Sequence, residues 1–327
     1  AAGIVADCTR DMAAEGWACR CPDLSATGVR ARALPSGGDE LTPSFGIRLR
    51  DGLRSGTFGA EVLACTHSVI DDCSSASAAA RSESQQAISV FAATVALVAA
   101  VRTPPAAPLI VKGDLTMTGA GLGLHNTDPR SAGLLLVAGG RWQGLQMGRL
   151  RSVPGTPPNQ ALMQEDASLA TASADQVFTM FMGIKPSRYP QHPALRKLSC
   201  SGDCAEALES AYAAGQRILW VDGPLNLASN KVIGSAADPV LVIATRIDIT
   251  GPLQLTGMLV ARGDLSWVNT SGLTSLVTGS VLALGNMRTE GSMDIAYQQA
   301  VADQLRHRMG SYVRVPGSWT DSQDVAP

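Results

Sequence analysis

Between Arg217 and Asn286 the chain is written as short apolar runs cut by glycine, proline, asparagine and aspartate. It reads RILWVDGPLNLASNKVIG, then DPVLVIATRIDITGPLQLTGMLVARGDLSWVNTSG, then LTSLVTGSVLALGN. Runs of this length with turn formers between them are the pattern of short strands joined by tight turns. One phrase recurs, as Gly223-Pro224-Leu225-Asn226-Leu227, Gly251-Pro252-Leu253-Gln254-Leu255 and Gly263-Asp264-Leu265-Ser266-Trp267, with an earlier copy at Gly113-Asp114-Leu115-Thr116-Met117. Each copy opens on a turn residue and then alternates apolar with polar, which turns one face inward.

The phrases also align by offset. Val240 to Ala244 matches Met258 to Arg262, and Ile247 and Ile249 match Leu265 and Trp267, in both cases 18 residues on. Three short strands per 18 residues predict one triangular coil of a parallel β-helix, a β-solenoid whose units bury their apolar face only by stacking. Further on, Leu273 to Val277 against Pro252 to Thr256 gives 21. The repeat is imperfect, and a sandwich of short strands stays open beside it.

With 327 residues, of which 45% are hydrophobic, there is material for one large domain or two modest ones. Only 17% of residues are charged and the formal net charge is −2, so no broad electrostatic footprint for nucleic acid or an anionic membrane exists. The 33 glycines suit turn-rich β structure better than a helical bundle.

Seven cysteines stand at positions 8, 19, 21, 65, 73, 200 and 204. Cys200 and Cys204 flank a Ser-Gly-Asp loop, and Cys65 and Cys73 flank a polar turn. Both spacings suit local disulfides in an oxidising compartment; free buried thiols are the alternative. Zinc is disfavoured, because Cys19-Arg20-Cys21 is spaced too closely and no Cys-x-x-Cys occurs. No signal peptide is present, and the longest largely apolar run, Ile88 to Val101, falls short of the ~20 residues that span a bilayer as a helix. For an exported protein this predicts that the start of the natural chain has been removed.

Taken in order, Ala1 to Ala14 carries a weak helical pattern, and Phe45 to Leu49, Phe58 to Cys65 and Ala87 to Arg102 predict a small antiparallel sheet. The Pro104-Pro105-Ala106-Ala107-Pro108 break marks a boundary between a first region, 1–107, and a second, 108–327. In the second, Leu109 to Thr118 and Gly133 to Gly140 are strands, with a turn at His125 to Pro129. A helical insertion is expected over about 155–216. It comprises a capped helix opening at Ser173-Ala174-Asp175-Gln176, with Val177, Phe178, Phe181 and Met182 inward, and helical stretches at Ala194 to Leu198 and Ala205 to Ala214. Asp294 to Arg308 predicts a C-terminal helix with an Ile295, Ala302, Leu305 and Met309 stripe, placed to cap an open solenoid end. Ser311 to Trp319 is a final strand. The fold class is thus mainly β.

Several phrases, in their order, resemble the PilX-like minor pilins of bacterial type IV pili. They are Pro104-Pro105-Ala106-Ala107-Pro108-Leu109 leading into Lys112-Gly113-Asp114-Leu115, the His125-Asn126-Thr127-Asp128-Pro129 turn ahead of Gly139-Gly140, and Val177-Phe178-Thr179-Met180-Phe181-Met182-Gly183. Most specific are Ile218-Leu219-Trp220-Val221-Asp222-Gly223, Pro239-Val240-Leu241-Val242-Ile243 and the terminal Arg314-Val315-Pro316-Gly317-Ser318-Trp319-Thr320-Asp321. The resemblance covers about residues 100 to 321. It implies that the first region is pilin-like and lacks an apolar N-terminal helix, which anchors such proteins in the inner membrane before they pass into the pilus. It further implies a role in priming or capping pili, with other minor pilins, the major pilin and often a tip adhesin as partners. The location implied is inner membrane and periplasm, then the extracellular pilus tip. The resemblance supplies no catalytic residue.

Parallel β-helices also house polysaccharide lyases and hydrolases, whose sites need converging carboxylates. Asn126-Thr127-Asp128 looks superficially like part of one, yet no paired carboxylates follow, and Asp114, Asp222 and Asp264 sit where aspartate serves turns. His67, His125, His192 and His307 have no ligand spacing and read as surface or turn histidines. Gly119-Ala120-Gly121-Leu122-Gly123 lacks the Lys-Ser/Thr of a phosphate loop. Arg141, Arg149 and Arg151 beside Trp142 form a small basic cluster that would suit single-stranded nucleic acid, against a solvated turn. Trp319 either packs on the last coil or anchors a neighbouring pilin. No catalytic, cofactor-binding or metal-ligating residue is assigned, and no cofactor. The function expected is pilus assembly through protein contacts, with a tip module binding DNA or glycan as one alternative and an extracellular carbohydrate-active enzyme as another.

Overall fold

The structure, a computed structural model, describes residues 7–10, 17–20, 31–33, 44–51, 57–65 and 88–322. The first strands are β1 (Asp7–Arg10), β2 (Trp17–Arg20), β3 (Ala31–Ala33), β4 (Ser44–Asp51), β5 (Thr57–Cys65) and β6 (Ile88–Ala99). Then follow β7 (Leu109–Val111), β8 (Leu115–His125), β9 (Leu136–Ala138), β10 (Trp142–Gln143), β11 (Leu150–Arg151) and β12 (Leu162–Met163). Helices α1 (Ala167–Thr171) and α2 (Ala174–Met182) precede β13 (Leu195–Leu198) and α3 (Ala205–Ala213). The remainder is β14 (Ile218–Leu227), β15 (Val232–Ile233), β16 (Val240–Ile249), β17 (Gln254–Ala261), β18 (Leu265–Asn269), β19 (Leu276–Ala283), β20 (Met287–Ala296), α4 (Gln299–His307) and β21 (Gly310–Ser322).

The protein is mainly β and divides into two compact units, Ala1–Val98 with Tyr312–Pro327, and Ala99–Ser311. In the first unit β3, β4, β5 and β6 pair antiparallel, with Phe58 opposite Val95 and Val62 opposite Phe91. The final strand β21 lies beside β6 in this sheet, so Tyr312 to Trp319, most of the strand expected at Ser311 to Trp319, completes the first unit, although it follows the second in sequence. Residues 7–10, where the sequence carries a weak helical pattern, form a strand paired with β2.

In the second unit the strands pair in parallel. Their apolar runs are nearly continuous because both faces are buried. Leu219, Val221, Val242, Ala244, Leu259, Ala261, Val281 and Ala283 point into one core. The alternate residues Ile218, Trp220, Leu241, Ile243, Met258, Val260 and Leu282 point into a second core. That outer core is roofed by helices. Ser173 caps α2 in a full capping box with Gln176, and Val177, Phe178, Phe181 and Met182 are buried, as the sequence pattern predicts.

Four expectations are corrected in this unit. Ile247 does pair with Leu265, but Val240 pairs with Gly257 rather than Met258, because the strand-to-strand corners differ in length by one residue. Leu195–Leu198 is a strand on β14 and not a helix; pairing of Leu195 with Ile218 outweighs the local helical pattern. The C-terminal helix starts at Gln299, since Met293 and Ile295 alternate inward as part of β20, and its buried residues are Val301, Ala302 and Leu305. Val301 packs over Gly279 of β19, a strand with parallel neighbours on both sides, so α4 covers a flank and not an end.

The parallel strands are not stacked in sequence order. β19 and β20, from the end of the unit, pair with β7 and β8, from its beginning. On their other side β7 and β8 pair with β9 and β10. The first strands of the unit therefore sit inside the stack, closed over by the last.

Candidate functional site

At the edge of the antiparallel sheet, β21 carries two aromatic rings that stay half exposed. Trp319 is 51% exposed and Tyr312 49% exposed. The Trp319 ring stacks on Phe91 with centroids 6.2 Å apart and planes at 23°, and Tyr312 meets Phe58 edge-on at 5.2 Å. The strand is held at this point by Ser318, whose Oγ accepts from the Thr94 N–H and donates to the Thr94 carbonyl, both at 3.1 Å. Trp319 thus packs on its own sheet, not on a parallel coil, and still offers one face of an indole at a position where its backbone is fixed. A large, rigid, amphipathic ring of this kind is the commonest anchor of protein interfaces.

The basic cluster predicted beside Trp142 does not converge. Arg141 is engaged by Glu165 at 2.8 Å. Arg149 reaches past the bare Gly123 to Asp294 at 2.9 Å, and also donates to Ser292 Oγ and the Met293 carbonyl. Arg151 turns back onto the carbonyls of Gly148 and Leu150. Trp142 is half-buried against the inner core. Two of the three guanidiniums are therefore already neutralised, and the ring that would stack on a base is largely covered.

His125 and Asp294 are brought together with Arg149, a grouping that no local spacing announces. His125 Nε2 lies 2.9 Å from Asp294 Oδ1, which also takes the Arg149 guanidinium. The group exists because Gly123 pairs with Asp294 in register and leaves room that a Cβ would occupy. His192, read from sequence as a surface or turn residue, is instead 5% exposed and stacks on Tyr189. His307 is exposed on the last turn of α4, and His67 lies outside the described residues.

Asn126-Thr127-Asp128 is a turn. Asn126 is wholly buried; its Nδ2 donates to the carbonyls of Ala106 and Leu134, and its Oδ1 accepts from Asp128 N and Ser131 Oγ. Asp128 is bound to Arg130, whose guanidinium holds the carboxyl below its ordinary value. Gly119 to Gly123 lie within strand β8 and open no helix. Among the described residues, no three His, Cys, Asp or Glu side chains are grouped as a metal ion would need, and no helix is long and apolar enough to cross a membrane. Cys200 and Cys204 form a disulfide with Cα atoms 5.7 Å apart. The Cys65–Cys73 pairing falls outside the described residues.

The outer core contains the other feature the sequence does not flag. Trp220, 2% exposed, stacks on Tyr189 at 6.0 Å and meets Phe178 edge-on, while the Arg262 guanidinium lies 4.4 Å over its ring. Burial pulls Arg262 below its ordinary pKa, partly opposed by Asp222 and Asp175. The guanidinium lies over the indole face as a cation–π partner and covers the apolar stack.

No family model matches this chain, and no curated protein matches it. Among solved structures, the competence-associated pilin ComZ from Thermus thermophilus is similar at 10% sequence identity over 90% of this chain and 87% of that one, with a TM-score of 0.22, a value too low to carry an argument.

Proposed function

We propose that this chain is a structural and interaction protein of the bacterial type IV pilus: the head of a PilX-like minor pilin that primes or caps assembly and is presented at the pilus tip. It works through surface contacts, without catalysis or a cofactor. Its partners are other minor pilins, the major pilin and a tip adhesin, reached by way of the inner membrane and periplasm. In this reading the parallel strands are the turns of a β-solenoid. Support comes from pairings such as Ile218 with Leu241, Ile247 with Leu265, Gln254 with Leu276 and Leu265 with Met287, one turn of chain apart each time. The ordered phrases from Pro104 to Asp321 supply the resemblance. The observation that carries action by contact is Trp319, fixed on Phe91 at a sheet edge with half its surface open.

The test is made in the native host. The gene is deleted, pilus retraction is blocked, and surface pili are counted by electron microscopy after complementation with the full-length gene or its Trp319→Ala form. Loss of pili, restored by the natural gene and poorly by the variant, is the expected result. Unchanged pilus number on deletion overturns the priming role.

A further inference from the structure

The second unit is inserted between two neighbouring strands of the first. β6 ends at Ala99, β21 begins at Gly310, and these two strands are adjacent in the antiparallel sheet, while residues 99–311 form a unit of their own. The segment leaving β6 and the segment returning to β21 are tied together inside that inserted unit. The Ala100 N–H donates to the Met309 carbonyl at 2.9 Å, and the Ala100 carbonyl accepts from the buried Tyr189 hydroxyl at 2.6 Å.

What brings Met309 to Ala100 is the seam where the last strands close on the first. Val281 pairs with Leu109, Met287 with Leu115 and Ile295 with Leu124. At the corner of the seam the Asp114 N–H donates to Asn286 Oδ1 at 2.9 Å, and the Lys112 and Gly113 N–H groups donate to the carbonyls of Ala283 and Gly285. Every other parallel pairing can open without parting the incoming segment from the outgoing one. Opening this seam leaves the two segments held only by the outer-core bonds of Ala100 to Met309 and Tyr189 and of Arg102 and Thr103 to the Phe181 carbonyl; once those give way, the ends of β6 and β21 are joined only through a long chain, whose closure carries the entropy of a large loop.

We propose that the β19/β20 to β7/β8 seam is the clasp that holds β21 on β6. When the seam opens, β21 leaves the sheet together with Tyr312 and Trp319, while β4, β5 and β6 remain paired with one another. The unit that carries the parallel strands thereby controls whether the aromatic edge of the other unit exists.

Two matched pairs of variants test this. A Cβ at Gly113 would run into Asn286 Oδ1 and the Gly285 carbonyl, at the seam. A Cβ at Gly251 would run into the Ala228 carbonyl, between the corners that follow β14 and β16 and away from the seam. Asn286→Ala removes the acceptor of the Asp114 N–H at the seam, whereas Asp203→Ala removes the acceptor of the Ala228 N–H at the corner after β14, away from it. Amide hydrogen exchange is followed in the purified full chain at Val313, Arg314, Val315 and Trp319, with β5 amides as the internal reference. Gly113→Ala is expected to speed exchange in β21 about tenfold or more relative to β5, and Asn286→Ala by a smaller factor in the same place, as for a locally opening unit. Gly251→Ala and Asp203→Ala leave the ratio of β21 to β5 unchanged. If Gly113→Ala does not fold, the milder pair decides. Equal effects of the two members on β21, or none from either, overturn the clasp. The readout needs no pilus, so its failure leaves the proposed function standing, and the converse holds as well.

Discussion

Asn286 Oδ1 accepts the backbone N–H of Asp114 at 2.9 Å, although 172 positions separate the two residues. The contact is one rung of a ladder. Asp264 Oδ1 accepts the Asn286 N–H at 2.8 Å, and Asp114 Oδ1 accepts the Arg141 N–H at 2.8 Å. In each case the acceptor fills the space that a Cβ would take at the glycine just before the donor or beside it: Gly285 under Asp264, Gly113 under Asn286, Gly140 under Asp114. The recurring Gly-Asp and Gly-Asn phrases are thus two halves of one device. The side chain of one turn satisfies a corner N–H of the next, and that next corner must carry no side chain of its own.

Two further glycines make a sharper prediction. Gly257 and Gly279 have φ of +147° and +133°, and a Cβ at either would strike a backbone carbonyl of the neighbouring strand, that of Val240 or of Gly257. Backbone cannot swing aside as a side-chain tip can. Gly257→Ala and Gly279→Ala should each lower unfolding stability by about 2–4 kcal/mol. Gly223→Ala has nothing within 4 Å of the new atom and should change it by less than about 0.5 kcal/mol. Urea midpoints of the three variants at constant m check this; tolerance of alanine at 257 and 279 would contradict the close approach.

Much of the second unit is legible in the sequence because both faces of its strands are buried. The runs LWV, VLVIA and MLVA announce strands, and the offset of 18 between Ile247 and Leu265 is the true register. What is not legible is set by partners remote in sequence. The closure of Met287 on Leu115 leaves no local mark, since either residue would suit any inner position. The one-residue slip at Val240 depends on corner length, which apolar pattern does not encode. Leu195–Leu198 reads as helix alone and becomes strand only because Ile218 to Val221 offers an edge. The His125, Asp294 and Arg149 group hangs on Gly123 lying between strands in register. Trp319 could be singled out as either a packed residue or an anchor, but its stacking partner Phe91 could not be read from the sequence.

Two tryptophans of contrasting burial should separate stability from assembly. Trp220 is 2% exposed and shares contacts with Tyr189, Phe178 and Arg262, so Trp220→Ala should cost about 3–5 kcal/mol. Trp319 makes one stacked contact and is half open, so Trp319→Ala should cost less than about 1.5 kcal/mol. Thermal or urea unfolding of the purified chain measures both. A large loss of stability from Trp319→Ala would make any assembly defect of that variant a folding defect, and would remove it as support for an interface.

The capping box of α2 gives a prediction of intermediate size. Ser173 Oγ accepts the Gln176 N–H at 3.2 Å, and Gln176 Oε1 accepts the Ser173 N–H at 2.7 Å. The helix so started carries Phe178 and Phe181 onto the outer face of the parallel strands. Ser173→Ala should lower stability by about 1 kcal/mol, Ser173→Asp should restore most of it, and Gln176→Ala should cost less than Ser173→Ala. Equal stability of all three variants would mean that packing of the aromatic face, and not the cap, fixes where the helix begins.

The acid limb of stability should carry the signature of Asp203. Burial acts to raise its carboxyl, but hydrogen bonds from the Ser229 hydroxyl and from the backbone N–H groups of Ala228, Ala205 and Ser229 outweigh burial and hold it below its ordinary value. Through these bonds the carboxylate ties the disulfide loop to the start of α3 and to the corner after β14. A folded pKa below the unfolded one means that the unfolded chain binds the extra proton first as pH falls. The stabilisation is then complete above the ordinary carboxylate range, about pH 4, and is lost as pH drops through the lower folded value. Asp203→Asn should therefore be less stable than the natural protein at pH 7, by no more than about 1 kcal/mol because the group is screened by solvent. The difference should shrink as pH falls below the ordinary carboxylate range and the Asp203 carboxylate takes up its proton. Urea unfolding of the pair across this range measures the difference. A gap that persists undiminished at the acid end would show that the Asp203 charge is not what holds the loop.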